Sequence, residues 1–240
     1  MITNNTQQES KKPKKKKKKK KKKKMSLVSY ILIFFLISFV MIHSSNASAV
    51  QDFCVADLAL PESPAGYSCK SVSKVTVNDF IKSQFLTTNT AIPSFNLSIS
   101  LASATEFPAV NGLHISAIYV ELGVGGLAPA HVHPGGNEFS VVTQGTILCG
   151  FVSSDNNKAY FKTLQAGDAI VFPQGLVHFQ INVGRTPAKF ISSFSSANPR
   201  IVIIASALFG NNLPTDIVKK VTFLDDAAVK KLKAMFGGTN

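Results

Sequence analysis

The sequence predicts an all-β fold, a single β-jelly-roll barrel with a short C-terminal helical arm. Three observations point to it. Short segments rich in Val, Ile, Phe and Thr recur through the second half of the chain, Gly, Pro and Asn punctuate them at close intervals, and no βαβ spacing appears.

The chain begins with a tract set apart from that pattern. Residues 1–24 hold 13 of the 26 basic residues and one acid, Glu9, and the lysines run unbroken from Lys14 to Lys24. Like charges repel, so such a tract stays extended and solvated and could serve nuclear import or contact an anionic surface. It is also what translation of an adenine-rich leader would produce. Met25 then reads as the authentic start, and residues 1–24 as a product of start-site choice.

Residues 25–49 carry no Lys, Arg, Asp or Glu and are almost wholly apolar from Leu27 to Ile42. Ala47-Ser48-Ala49 follows, a small-x-small pattern of the kind signal peptidase accepts, so residues 25–49 read as a signal peptide with Val50 as the mature N-terminus. An uncleaved anchor is the alternative, because about 16 largely apolar residues with a basic flank come close to spanning a bilayer. Both readings put the domain, residues 50–240, outside the cytoplasm. That domain has 13 basic and 12 acidic residues, a net charge of +1, although the whole chain carries +13. Near-neutrality gives no electrostatic footprint for nucleic acid, and no nucleic-acid partner is expected.

In an oxidising compartment Cys54 and Cys69 are expected to form a disulfide in a weakly structured N-terminal segment, a closure worth roughly 3 kcal/mol in chain entropy. Cys149, left over in the apolar run 146–152, is expected to be a buried free thiol acting as a small apolar residue. Strands are expected at 114–122, 138–143, 146–152, 159–164, 169–172, 177–183, 189–193 and 201–208. Turn signals lie between them at Gly125-Gly126, Pro134-Gly135-Gly136-Asn137, Ser154-Asp155-Asn156-Asn157 and Ala166-Gly167-Asp168. Residues 225–236 have acids first, lysines late and Gly237-Gly238 after them, which predicts a capped amphipathic helix. A shorter helix over 215–221, after Pro214, would complete an apolar arm, for which a neighbouring subunit is a candidate partner.

Of the five histidines, His43 lies in the segment expected to be removed. His131 and His133 are two apart on an extended segment, and period-2 alternation sends both imidazoles to one face. Glu138 follows beyond a turn, and His178 sits where another turn leads into a strand that a barrel can bring to the same cavity. Three neutral imidazoles and one carboxylate form a mixed nitrogen and oxygen set that leaves positions open on an octahedral ion, suited to Mn(II) or Fe(II). His114 lies outside this set, on an expected strand, as a structural or surface residue.

The same residues complete two spaced motifs, Gly125-x5-His131-x-His133-x4-Glu138-x6-Gly145 and Gly167-x5-Pro173-x-Gly175-x2-His178-x3-Asn182. At every defined position these resemble the two cupin boxes of the germin and germin-like family. The resemblance extends to the paired N-terminal cysteines, to the stretch 192–199 and to the helical tail, and it is similar to the plant germin-like branch described as auxin-binding proteins. It implies Mn(II) held by His131, His133, Glu138 and His178, a homo-hexamer built as a trimer of dimers, and a secreted protein of the apoplast and cell wall.

The resemblance also bears on the reaction. Oxalate oxidases of the family place asparagines three residues before the first ligand histidine and on the preceding strand. Those positions here are Ala128 and, by ungapped spacing, Ile118, so the amides that would compensate a buried dianion are missing, which argues against oxalate oxidation. Superoxide dismutation asks for an accessible manganese that alternates between two and three plus, an open position and a proton source, with no catalytic side chain that can be named. The alternative is a non-enzymatic auxin-binding or reservoir protein of the wall that takes a small carboxylate at the metal. Asn96-Leu97-Ser98 is an acceptor for N-glycosylation if it lies on an exposed loop.

Overall fold

Segments that alternate apolar and polar side chains pair into two antiparallel sheets. The strands are β1 (Thr90–Ile92), β2 (Leu97–Ala102), β3 (Ser116–Leu122), β4 (Leu127–Val132), β5 (Glu138–Gln144), β6 (Thr146–Val152), β7 (Ala159–Gln165), β8 (Ala169–Phe172), β9 (His178–Asn182), β10 (Ala188–Phe194) and β11 (Val202–Ile203). One sheet has six strands in the order β1-β2-β3-β10-β5-β8, and the other has five in the order β11-β4-β9-β6-β7. From β3 onward every pair of consecutive strands except β6 and β7 is divided between the two sheets, as in a jelly roll. The computed structural model describes residues 52–88 and 90–239, with Ser26, Val28, Ile31, Leu32 and Phe34 from the apolar segment. The lysine leader and the junction at Ala49 and Val50 lie outside the described residues. Among the described residues no helix is long and apolar enough to cross a membrane.

The inward positions of both sheets fuse into one apolar cluster that includes Val120, Leu122, Val142, Ile147, Leu164, Phe172 and Phe190. Burial of each such side chain is worth about 1.5–3 kcal/mol, which makes this cluster the main source of the barrel's stability. Cys149 is part of the cluster and remains a free thiol, its pKa pushed up to about 11 by burial and by the charge of Glu138. The N-terminal segment is fastened by the Cys54–Cys69 disulfide. Buried Asn111 holds it to the barrel by accepting from the Tyr67 N–H and donating to the Tyr67 carbonyl.

All but one of the expected strands match within two residues, though one of those begins later than expected. His114 precedes β3 in a turn, with a left-handed φ of 56° that a strand position would not have. The apolar run 201–208 yields only the two residues of β11 before turning into helix α1 (Ile204–Phe209). A short apolar run carries no period that separates strand from helix, and here the contacts of Phe209 decide it. Helices α2 (Thr215–Thr222) and α3 (Asp226–Phe236) follow, and Phe209, Val218 and Val229 form a small core of their own. The Asp225 carboxylate caps α3 by accepting from the Ala228 N–H at 2.7 Å, and Gly237 closes it at φ 77°.

Candidate metal centre

Local pairing brings the four predicted residues together. β4 and β9 are adjacent, and His131 stands directly opposite His178 in their register. The turn Pro134-Gly135-Gly136-Asn137 then carries the chain to the other sheet, where Glu138 opens β5. That turn needs glycine: a Cβ on Gly135 would lie 2.8 Å from the Asn198 carbonyl oxygen. The ligand atoms of His131, His133, Glu138 and His178 all fall within 4.8 Å of one another, and all four side chains are buried, His178 to 1% exposure and Glu138 to 3%.

Each imidazole is oriented from behind. His131 Nδ1 meets the Pro129 carbonyl at 2.7 Å, His178 Nδ1 meets the Leu176 carbonyl at 2.8 Å, and His133 Nδ1 meets the carbonyl of Arg200. A carbonyl only accepts, so each Nδ1 carries the proton and each Nε2 turns a lone pair toward the common centre. Phe172 stacks on His178 with ring centroids 4.5 Å apart, and Phe194 meets His133 edge-on at 4.8 Å.

Glu138 divides its labour between its two oxygens. Oε1 accepts from Ser140 Oγ and Ser192 Oγ, each at 2.7 Å, and from Gln180 Nε2 at 3.3 Å. Oε2 lies 3.1 Å from His178 Nε2 and 3.2 Å from His133 Nε2. Lone pairs and a carboxylate oxygen converging this closely, out of water, are stable only around a cation, so the donor set fits a metal ion. Burial works to raise the Glu138 carboxyl, but the close approach of His133, His178 and Ser192 to its oxygens outweighs it and holds the group well below the usual carboxylate range. Burial and the neighbouring His178 push the His131 imidazole down to about 4, which leaves its nitrogen free to bind a cation at neutral pH.

Sequence reasoning missed Ser140, Ser192 and Gln180. A signal for two of them was present: Ser140 is two residues beyond Glu138 and Gln180 two beyond His178, so period 2 puts them on the ligands' face. Gln180 Oε1 is the buried side-chain oxygen that has no hydrogen-bond partner among the described residues. Ala128 stands opposite Gln180, and Ile118 opposite Ser192. Directly opposed residues share a face, so both substituted positions border the polar groups around Glu138. His114 stays apart from the centre, on the rim of a surface pocket near the N-terminal segment. Asn96 is exposed, in a left-handed conformation, and its Nδ2 donates to the Val124 carbonyl at 3.0 Å.

With this geometry in place, comparison with known proteins is decisive. Residues 84–230 match the Cupin family. The chain belongs to that family, in its germin-like branch. This germin-like cupin is 51% identical to "Auxin-binding protein ABP19a" of Prunus persica, over 85% of this chain and 97% of that protein. It is 48% identical to "Germin-like protein subfamily 3 member 3" of Arabidopsis thaliana, over 87% of this chain and 97% of the relative. Among solved structures, a recombinant oxalate oxidase in complex with glycolate superposes with a TM-score of 0.75 at 35% identity, over 80% of this chain and 98% of its own.

Proposed function

We infer that this chain is a secreted manganese protein of the plant apoplast and that its activity is superoxide dismutation. The observation that carries the reading is the convergence of three imidazole lone pairs and one ionised carboxylate in a buried pocket. His131, His133, Glu138 and His178 would hold the ion, and manganese bound there supplies a one-electron couple between its two- and three-plus states.

The chain's own residues set the conditions for that chemistry. Ionised Glu138 favours the more positive state, and Ser140, Ser192 and Gln180 keep its Oε1 turned away so that Oε2 faces the centre. Phe172 and Phe194 pack against two of the imidazoles and hold their orientation. Gln180 Oε1, unpartnered inside the barrel, is placed to accept from a water or from a protonated ligand atom. Dismutation consumes one proton for each superoxide, and a water held in this way is the source the site offers.

Secretion is supported by the apolar segment before Val50 and by the Cys54–Cys69 disulfide, which persists in oxidising compartments. A homo-hexamer built as a trimer of dimers is supported by apolar side chains left exposed on the helical arm, Phe223 at 93% and Met235 at 64%. Asn96 could carry a glycan and keep its bond to Val124, because its amide nitrogen has two protons. The relatives named as auxin-binding favour a second reading, a wall protein that captures a small carboxylate at the metal or acts as a reservoir.

Elemental analysis of protein purified from its native source without chelators should give about one manganese per chain. Superoxide consumption should disappear on chelation and return with Mn(II). Absence of any transition metal would remove both readings of the centre, whereas a loaded but inactive protein would leave only the second.

A further inference from the structure

A cavity of about 380 Å³ lies on the outer side of the six-stranded sheet, under the segment that links the N-terminal loop to the barrel. Its origin is a row of small residues. Ala102, Ala117 and Ser193 are register partners across β2, β3 and β10, and all three line it. A sheet face normally presents bulkier side chains, and three small ones in a row leave a hollow that Phe85, Phe107, Val110 and Ile115 surround without filling. The volume falls in the range of small-molecule sites, roughly 300–1,000 Å³.

The lining is apolar with one cation. Lys82 is half-buried at the cavity, and its ammonium donates to the Glu106 carbonyl oxygen at 2.9 Å. That acceptor is neutral, and the Glu106 carboxylate is engaged by Ser103 Oγ. Among the described residues no acid pairs with Lys82, so its charge is uncancelled and two of its three donors are unspent. Ser193 adds a hydroxyl from the floor. An apolar hollow with a single unpaired cation at its side is complementary to a molecule with a flat apolar body and one negative charge.

We propose that this cavity binds a small apolar monocarboxylic acid, with the ring system over Ala102, Ala117 and Ser193 and the carboxylate on Lys82. The site is separate from the four metal-ligating residues, so a carboxylic acid need not compete for the metal to be bound by this protein.

The chain contains no tryptophan, so the fluorescence of an arylacetate can be followed without tryptophan emission beneath it. The probe is naphthalene-1-acetate, titrated into the full-length, metal-loaded protein, with naphthalene-1-methanol as the uncharged control. One saturable site per chain is expected, with the acid bound about tenfold more tightly than the alcohol. Lys82→Gln should remove that preference, and Ala117→Phe should weaken both probes at least tenfold by filling the floor. His178→Ala, which disturbs only the metal centre, should leave both affinities unchanged. Failure to find saturable binding overturns the proposal. So does binding that is lost in His178→Ala and retained in Ala117→Phe, which would put the acid at the metal as in the second reading above. If Ala117→Phe changes the oligomeric mass and leaves probe affinity unaltered, the hollow is a contact between copies of the chain and the proposal is equally wrong.

Discussion

Two ends of the barrel interior both carry buried polar residues, and they differ in how those residues are satisfied. At one end Asn182, 2% exposed, places Nδ2 at 2.9–3.1 Å from the carbonyls of Leu122, Gly123 and Thr186, which share its two N–H donors, and accepts from the Gly184 N–H at 2.9 Å. At the other end His131, His133 and His178 direct lone pairs at one another and at Glu138 Oε2, and Gln180 Oε1 has no partner. Asn182 and His178 belong to the same strand, four residues apart on the same face. The first is closed by protein atoms and can only hold structure. The second is closed by protein atoms only from behind, and the donor set it presents in front fits a cation.

The sharpest way to break this comparison is to truncate both. His178→Ala removes the one ligand that comes from a distant strand, and metal affinity should fall by at least the 10–100-fold typical of outer-shell changes, so that metal is lost on purification. Size-exclusion mass and the folded spectrum should stay as in wild type, because the apolar cluster keeps all its own side chains and loses only the contact of Phe172 with the imidazole. Asn182→Ala should do the reverse. It removes the bonds to the Leu122, Gly123 and Thr186 carbonyls and to the Gly184 N–H, each worth about 0.5–1.5 kcal/mol, and should lower the thermal midpoint clearly while metal per folded chain stays constant. Metal loss in Asn182→Ala, or unfolding in His178→Ala, would show that the two ends are one structural unit.

Sequence patterning treats these two residues alike, since both are fixed positions of the second motif. What it makes legible is type and face. The alternation of the extended segment that carries His131 and His133 and the turns before Glu138 and His178 were enough to bring the four residues to one cavity, because a barrel offers only one interior. It could not tell an asparagine saturated by three carbonyls from a histidine aimed at an ion, because that depends on backbone atoms of Leu122, Gly123 and Thr186 brought in by folding. Ser192 was hidden for a similar reason: it reaches Glu138 from β10, 54 residues away, through sheet pairing alone. The strands β1 and β2 were missed because the serines of Leu97–Ala102 dilute the apolar signal, and 201–208 was misassigned because its run fits either period.

A change behind the carboxylate should have a smaller effect than loss of a ligand. Ser192 is wholly buried and donates to Glu138 Oε1 at 2.7 Å, while its hydroxyl also lies 2.6 Å from that of Ser140. Ser192→Ala leaves Ser140 and Gln180 on that oxygen, so the carboxylate stays ionised but turns more freely. Manganese affinity should drop by about tenfold, with a stability loss of about 1 kcal/mol. Competition with a chelator measures the first and denaturant unfolding of metal-free protein the second. Unchanged affinity would mean that the serine pair serves only packing.

The smallest effect is expected where the polar end is incomplete. Ala128 stands opposite Gln180, whose Oε1 has no partner. Ala128→Asn would bring an amide to the same face of the same sheet, close enough for its N–H to satisfy that oxygen. A buried hydrogen bond of this kind contributes about 0.5–1.5 kcal/mol, less the cost of fitting a larger side chain. The thermal midpoint should therefore rise by no more than about 4 °C or stay level, in a domain of this size. Oxalate should yield no hydrogen peroxide above background in wild type or variant, because Ile118 still presents an apolar side chain beside Ser192 and a dianion there would lose its water without compensation. A fall in the midpoint would mean that the oxygen of Gln180 is already satisfied by water and that the new amide displaces it. Oxalate-dependent peroxide from the single variant would mean that one amide beside Gln180 is sufficient to hold the dianion, and the importance given to Ile118 would be wrong.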